Sequence, residues 1–292
     1  MIRILVLLIL ISVTDLCAQS AERVESEYKL GIPNDEAESL WKYLQSKPFL
    51  SKLRTEYDLK TVASIEDFVD VYYDDANQNL YKQKVGLRYR SRFIKDTLIK
   101  QLVQLKTPLL ADGVARTETK YEIKKSKDKN DIYARHKLLK YIKKKDRRNL
   151  NYQLAKFGSE SLKMQPEVKL RQTRSRIYIT DSIASLATIT LDEVTNLKFP
   201  FQRYTEMELE LNEIRYTESD TSGKKKMERF NEKLRNGLLE SFPSLYQDQT
   251  PKYNKMKQMI DGSWLSKAYE YRMWIALSLI LGLALYLLLF RK

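Results

Sequence analysis

Tyr204-Thr-Glu206-Met-Glu208-Leu-Glu210-Leu-Asn-Glu-Ile214 alternates carboxylates with apolar side chains. On a β-strand this spacing puts Glu206, Glu208 and Glu210 on one face and Met207, Leu209 and Leu211 on the other. Three like charges along one face repel each other, so something positive has to compensate them. Hard divalent cations such as Mg²⁺ or Mn²⁺ prefer clustered carboxylate oxygens and are one answer.

Basic strands are the other. Arg88 and Arg90 stand in Gly86-Leu-Arg-Tyr-Arg90, Lys106 in Gln104-Leu-Lys-Thr-Pro108, and Arg174 and Arg176 in Gln172-Thr-Arg-Ser-Arg176. Near the start of the chain, Glu25-Ser-Glu27-Tyr-Lys29 repeats the charged spacing. One such triplet is common on an exposed strand; its recurrence with basic counterparts suggests a shared interior. A barrel lined by both signs is untenable if empty and dry, because buried charges need partners. A metal-complexed polyphosphate would give each of them one.

Period-two alternation marks strands at Arg23 to Ile32, Asp67 to Tyr73, Val85 to Phe93, Leu98 to Thr107, Val114 to Ile123, Glu167 to Thr180, Ala187 to Val194 and Tyr204 to Ile214. Helices are expected from Asn34 or Asp35, between Asp131 and Phe157, and from Lys224 to Glu240, where Met227, Phe230, Leu234 and Leu238 share a face. The fold class is therefore α+β, mainly antiparallel β, with about eight strands in a large sheet or barrel and helices packed outside. On a regular strand from Glu167 to Thr180, Lys169 and Arg171 have the opposite parity to Arg174 and Arg176, so one pair should face out unless a bulge intervenes.

The 52 Lys and Arg exceed the 38 Asp and Glu, giving a net charge of +14 that suits a polyanionic partner. The basic run Lys137 to Arg148 is interrupted by Leu138, Leu139 and Ile142, which reads as a solvated helix face; no nucleic-acid partner is expected. Cys17 is the sole cysteine and His136 the sole histidine, which excludes disulfides, zinc-thiolate sites and Ser-His-Asp catalysis. Nothing in the sequence sets an oligomeric state.

Residues 1–20, with Arg3, an apolar run and Ala18-Gln-Ser20, read as a signal peptide. Residues 21–260 form the expected domain, 261–273 a juxtamembrane segment, 274–290 a transmembrane helix and 291–292 a basic tail. These ends imply a single-pass, membrane-anchored protein with its domain on the extracytoplasmic side.

The serial order of motifs resembles the CYTH family, the triphosphate tunnel metalloenzymes, from about Val24 to Lys257. The carriers are Glu25-Ser-Glu27-Tyr-Lys29, Val71-Tyr-Tyr-Asp74, Leu80 through Arg90, Leu105-Lys106, Arg116-Thr-Glu118, Leu191-Asp192-Glu-Val194, Thr205 through Glu210, and Pro251-Lys252-Tyr253. Asp75 stands where the family usually has Thr, Gln172 where it often has Lys, and Lys120 interrupts the acidic series Glu118 to Glu122. The resemblance implies a closed or nearly closed antiparallel tunnel. It implies Glu25, Glu27, Asp192, Glu206, Glu208 and Glu210 on Mg²⁺ or Mn²⁺. It further implies Lys29, Arg88, Arg90, Lys106, Arg116, Arg174, Arg176 and Lys252 on phosphate, with Glu25, Glu27 and Lys29 at the chemistry.

The implied activity is metal-dependent hydrolysis of inorganic tripolyphosphate or of an organic or nucleoside triphosphate. A non-catalytic polyphosphate or organic phosphate binding module at the membrane surface is the alternative. A third reading, an anchored interaction protein, requires the charged faces to point into solvent.

Overall fold

The computed structural model describes residues 23–109, 115–123, 131–182 and 184–289. The expected signal segment 1–20 and the tail 291–292 lie outside them. The strands are β1 (Arg23–Ile32), β2 (Lys60–Asp74), β3 (Gly86–Ile94), β4 (Thr97–Pro108), β5 (Ala115–Glu122), β6 (Gln165–Thr180), β7 (Ser185–Asn196), β8 (Arg203–Leu211) and a two-residue β9 (Tyr246–Gln247). They run β5-β4-β3-β2-β6-β7-β8-β1, and β5 pairs back onto β1, closing an eight-stranded antiparallel barrel. β9 adds to β1 beyond the stretch that β5 covers.

Closure removes the exposed edges that an open sheet would present, and the period-two pattern decides which residues face in. From β1 to β8 the apolar set, including Leu30, Ile177, Ile189, Met207 and Leu209, forms an outer core under α1 (Ala37–Leu44), α2 (Lys47–Tyr57) and a long α6 (Thr221–Ser241). On the opposite side Val71, Leu87, Tyr89, Val103 and Leu105 pack against α3 (Asn79–Lys82) and α4 (Arg147–Ala155). The charged set is left to fill the interior.

The long helix follows from its sequence. Asp220 caps it by accepting from Gly223 N at 2.7 Å, and Met227, Phe230, Leu234 and Leu238 recur at three- and four-residue intervals on its buried face. Between it and β8 lies α5 (Glu213–Glu218), capped by Asn212. The expected strand Tyr204 to Ile214 therefore stops at Leu211.

Two expectations are corrected. The helical region expected between Asp131 and Phe157 contains only short 3₁₀ turns at Leu138–Lys140 and Lys144–Asp146 before α4. Leu138 and Ile142 are buried as foreseen. Ile142, however, bridges to Ile123 in extended pairing, which breaks a continuous helix. The anchor expected over 274–290 corresponds to α9 (Arg272–Leu289), which follows α7 (Lys252–Gly262) and α8 (Trp264–Glu270). Among the described residues no helix is long and apolar enough to cross a membrane. α9 itself has 18 residues, one of them Arg272, and measures roughly 27 Å, short of the about 30 Å hydrocarbon core.

α7 packs over one end of the barrel. Tyr253 and Met256 join Tyr72, Val168, Leu170 and Val194 in an apolar cluster there. Tyr253 stacks on Tyr72 at 5.4 Å and donates its hydroxyl to Asp74 Oδ2 at 2.9 Å. Asp74 also accepts from Leu80 N and Tyr81 N, so one buried carboxylate ties β2, α3 and α7 together. Tyr253→Phe removes the bond to this charged acceptor and is expected to cost about 1.5–3 kcal/mol, measured as a lower denaturation midpoint at an unchanged circular dichroism spectrum.

Candidate active site

The barrel interior is a cavity of about 310 Å3 whose wall includes Glu25, Glu27, Lys29, Arg88, Arg90, Lys106, Arg116, Arg174, Arg176, Glu208, Glu210 and Lys252. Asp192 and Glu206, wholly buried, sit beside that wall. Every site residue expected from the sequence is thus brought to one interior. Arg174 and Arg176 face in, while Arg171 is exposed; β6 has no bulge between them.

Register explains most of the charge pattern, because acids lie across from bases: Glu25 opposite Arg116, Lys29 opposite Glu208, Asp70 opposite Arg90, Lys106 opposite Glu118 and Arg174 opposite Asp192. Two acidic pairs break the rule, besides Arg92 across from an exposed Lys100. Glu27 lies across from Glu210, and Asp192 across from Glu206. Like charges directly opposite on a sheet destabilise it, so both places call for a cation.

At the second place the chain supplies its own. Oxygens of Asp192, Glu206 and Glu208 lie within 4.8 Å of one another. The Lys252 ammonium sits 2.9 Å from Asp192 Oδ2 and 2.6 Å from Glu208 Oε1, and also donates to Glu206. Lys29 reaches Glu208 Oε1 at 2.6 Å, and Arg174 forks onto Asp192 at 2.7 and 2.5 Å while touching Glu208 Oε2 at 2.6 Å. Burial alone would raise the Glu208 carboxyl, but Lys252, Lys29 and Arg174 hold it well below the ordinary range. Burial would likewise lower the Lys252 ammonium, and Asp192, Glu206 and Glu208 push it well above its ordinary value.

The first place is less well answered. Glu27 Oε1 is buried without a hydrogen bond, its nearest cations being Lys29 at 3.5 Å and Arg116 Nε at 3.9 Å. Glu210 is pushed up to about 8 by burial and by the carboxylates of Glu25, Glu27 and Glu208, with Lys106 pulling the other way. Glu25 itself pairs with Lys106 at 2.5 Å, and its oxygens approach those of Glu118 and Glu213 in a second acidic trio. An oxygen donor set with a buried, unbonded carboxylate oxygen fits a hard divalent ion.

Several interior partners were not foreseen. Asp70 is fully buried and accepts from Arg90 at 2.7 and 2.6 Å and from Arg88 at 3.3 Å. Burial raises its carboxyl, yet Arg90 and Arg88 together leave it below the ordinary range. Gln104 links Arg88 to Glu118, and Lys255 pairs with Glu206 at 3.0 Å. Lys120, read as an interruption, lines the cavity and pairs with Glu118. Asp70 had only a weak signal: it shares parity with Glu66 and Tyr72, opposite a face that carries Val69, Val71 and Tyr73 but also Asp67.

The model of the CYTH domain matches residues 25–240, most of the described barrel. The chain belongs to the CYTH family. No curated protein matches the CYTH chain. Among solved structures, the Hippeastrum protein HpAC1, described as an adenylyl cyclase candidate that reveals a dominant triphosphatase activity, is 16% identical with a TM-score of 0.50, covering 81% of this chain and 95% of its own. The PH1819 protein of Pyrococcus horikoshii is 18% identical with a TM-score of 0.48, over 80% and 99% of the two chains. The RNA triphosphatase Pct1 of S. pombe is 10% identical with a TM-score of 0.40, over 75% and 84%.

Proposed function

We propose that this CYTH barrel hydrolyses a triphosphate, inorganic tripolyphosphate or an organic or nucleoside triphosphate, in a reaction dependent on Mg²⁺ or Mn²⁺. The observation that carries the reading is the pair of acid–acid cross-strand contacts, Glu27 with Glu210 and Asp192 with Glu206, inside a closed barrel where Glu25, Lys29, Asp70, Lys106 and Arg174 each face the opposite charge. The triphosphatase activity described for the Hippeastrum protein of the same fold supports it.

Glu25, Glu27, Asp192, Glu206, Glu208 and Glu210 would hold the ion, which when bound shields phosphate charge and polarises oxygen. Arg88, Arg90, Arg116 and Lys106 on one arc, with Lys29, Arg174, Arg176 and Lys252, neutralise the phosphate oxygens and hold the chain in line. Phosphoryl transfer needs chiefly this positioning and charge stabilisation, so no covalent nucleophile is required. Glu27 is assigned to orient the attacking water; the water oxygen bonds to the terminal phosphorus as the bridging P–O bond breaks.

Phosphate release from tripolyphosphate by the full chain, with Mg²⁺ or Mn²⁺ and with chelator, tests the reading. Metal-dependent release should fall by about 10- to 100-fold, some 1.4–2.7 kcal/mol, in Glu25→Gln/Glu27→Gln. Tripolyphosphate binding without release under any metal would reject hydrolysis and leave a phosphate-binding module.

A further inference from the structure

Outside the barrel a second cavity, of about 650 Å3, lies between α6, the end of α2, the β6–β7 turn and α5. It adjoins the tunnel mouth: Ser185 lines the tunnel and Leu186, the next residue of β7, lines the outer cavity. Its floor is apolar. Leu59, Met227 and Phe230 are buried, and the Tyr57 ring meets Phe230 edge-on at 5.2 Å.

Its rim is cationic. Lys225, Lys226, Arg229 and Lys233 all rise from α6. Arg215 completes the set and is answered by Asp181 at 2.6 Å. Among the described residues, the four α6 cations have no carboxylate partner. In the tunnel, by contrast, Lys29, Lys106, Arg174 and Lys252 each touch at least one carboxylate. Like charges three and four residues apart on one helix repel, and an anion seated in the cavity would relieve that repulsion.

We propose that this cavity is a second ligand site, taking an amphipathic organic phosphate. Its apolar body would lie on Leu59, Met227 and Phe230, with its phosphate on Lys226 and Arg229. Inorganic phosphate would leave the apolar floor unused, and a neutral apolar ligand would leave the cations unanswered. A body of nucleoside or short-alkyl size falls within the range of cavities of this volume. The site does not depend on hydrolysis in the tunnel.

Calorimetric titration of the full chain with hexyl phosphate and, separately, with adenosine monophosphate tests it, with inorganic phosphate as the third arm. One of the two organic probes should bind saturably and more tightly than inorganic phosphate, and which one does so identifies the body as alkyl or nucleoside. Lys226→Glu/Arg229→Glu, at two exposed positions, should weaken that binding about tenfold or more with an unchanged circular dichroism spectrum. The component of binding that the double reversal removes should persist in the tunnel variant Arg88→Met. Failure of both organic probes to bind, equal binding of inorganic phosphate, indifference to the double reversal, or loss of that component in the tunnel variant would each overturn the proposal.

Discussion

Lys252→Met is expected to destabilise the metal-free barrel by about 3–5 kcal/mol, the cost of leaving a buried charge cluster without one partner. The ammonium is the common neighbour of Asp192, Glu206 and Glu208, and all three carboxylates are nearly or wholly buried. Lys29 and Arg174 remain, but they contact only Glu208 and Asp192 closely; Glu206 keeps Lys255 at 3.0 Å and Lys29 only at 3.8 Å. Methionine restores the volume and not the charge, so packing against α7 is preserved and the loss is electrostatic.

The same substitution should enlarge the stabilisation given by Mn²⁺ or Mg²⁺. A cation entering the trio in the wild type competes with an ammonium already there, whereas in Lys252→Met it meets uncompensated carboxylates. Thermal melts in chelator and in excess metal separate the two effects: the variant should fall furthest below wild type in chelator and recover part of the gap with metal. An equal deficit in both conditions would mean that no cation reaches Asp192, Glu206 and Glu208.

How much of this was legible in the sequence depends on parity and on register. Parity was readable: Glu25, Glu27 and Lys29, or Glu206, Glu208 and Glu210, declare one face of a strand without further information. So the eight-strand barrel and its charged interior follow from alternation, because a chain with apolar outer faces and charged inner faces must close around the latter. Register was not readable, since a strand does not announce its neighbour. That Glu27 faces Glu210 is fixed by the pairing of β1 with β8, and that Glu25 faces Arg116 by the closure of β5 onto β1, both contacts between residues far apart in the chain. Asp70 was missed for a related reason: its role comes from Arg88 and Arg90 across the sheet, and its own strand shows it only as one polar residue among several. The helix expected over Lys137 to Arg148 failed because a single extended bridge, Ile123 to Ile142, outweighed local helical spacing.

Glu210→Gln should stabilise the metal-free protein at alkaline pH and change little under mild acid. The Glu210 carboxyl is raised from 4.5 to about 8 by burial and by Glu25, Glu27 and Glu208. The folded chain therefore holds a proton that the unfolded chain releases. That contribution to stability is complete below about pH 4.5 and is lost as pH rises through about 8. At about 1.4 kcal/mol per pH unit, discounted for partial solvent contact, the loss is on the order of 3 kcal/mol. Asp70, Asp192 and Glu208 are shifted downward and act oppositely: their stabilisation is present at neutral pH and lost on acidification. Comparing variant with wild type at each pH cancels those groups to first order and isolates Glu210. The difference in melting temperature should be near zero at about pH 5 and grow steadily toward about pH 9. A flat difference across that range would mean that Lys106 keeps Glu210 ionised throughout, and the unfavourable Glu27–Glu210 contact would lose its standing as a place that calls for a cation.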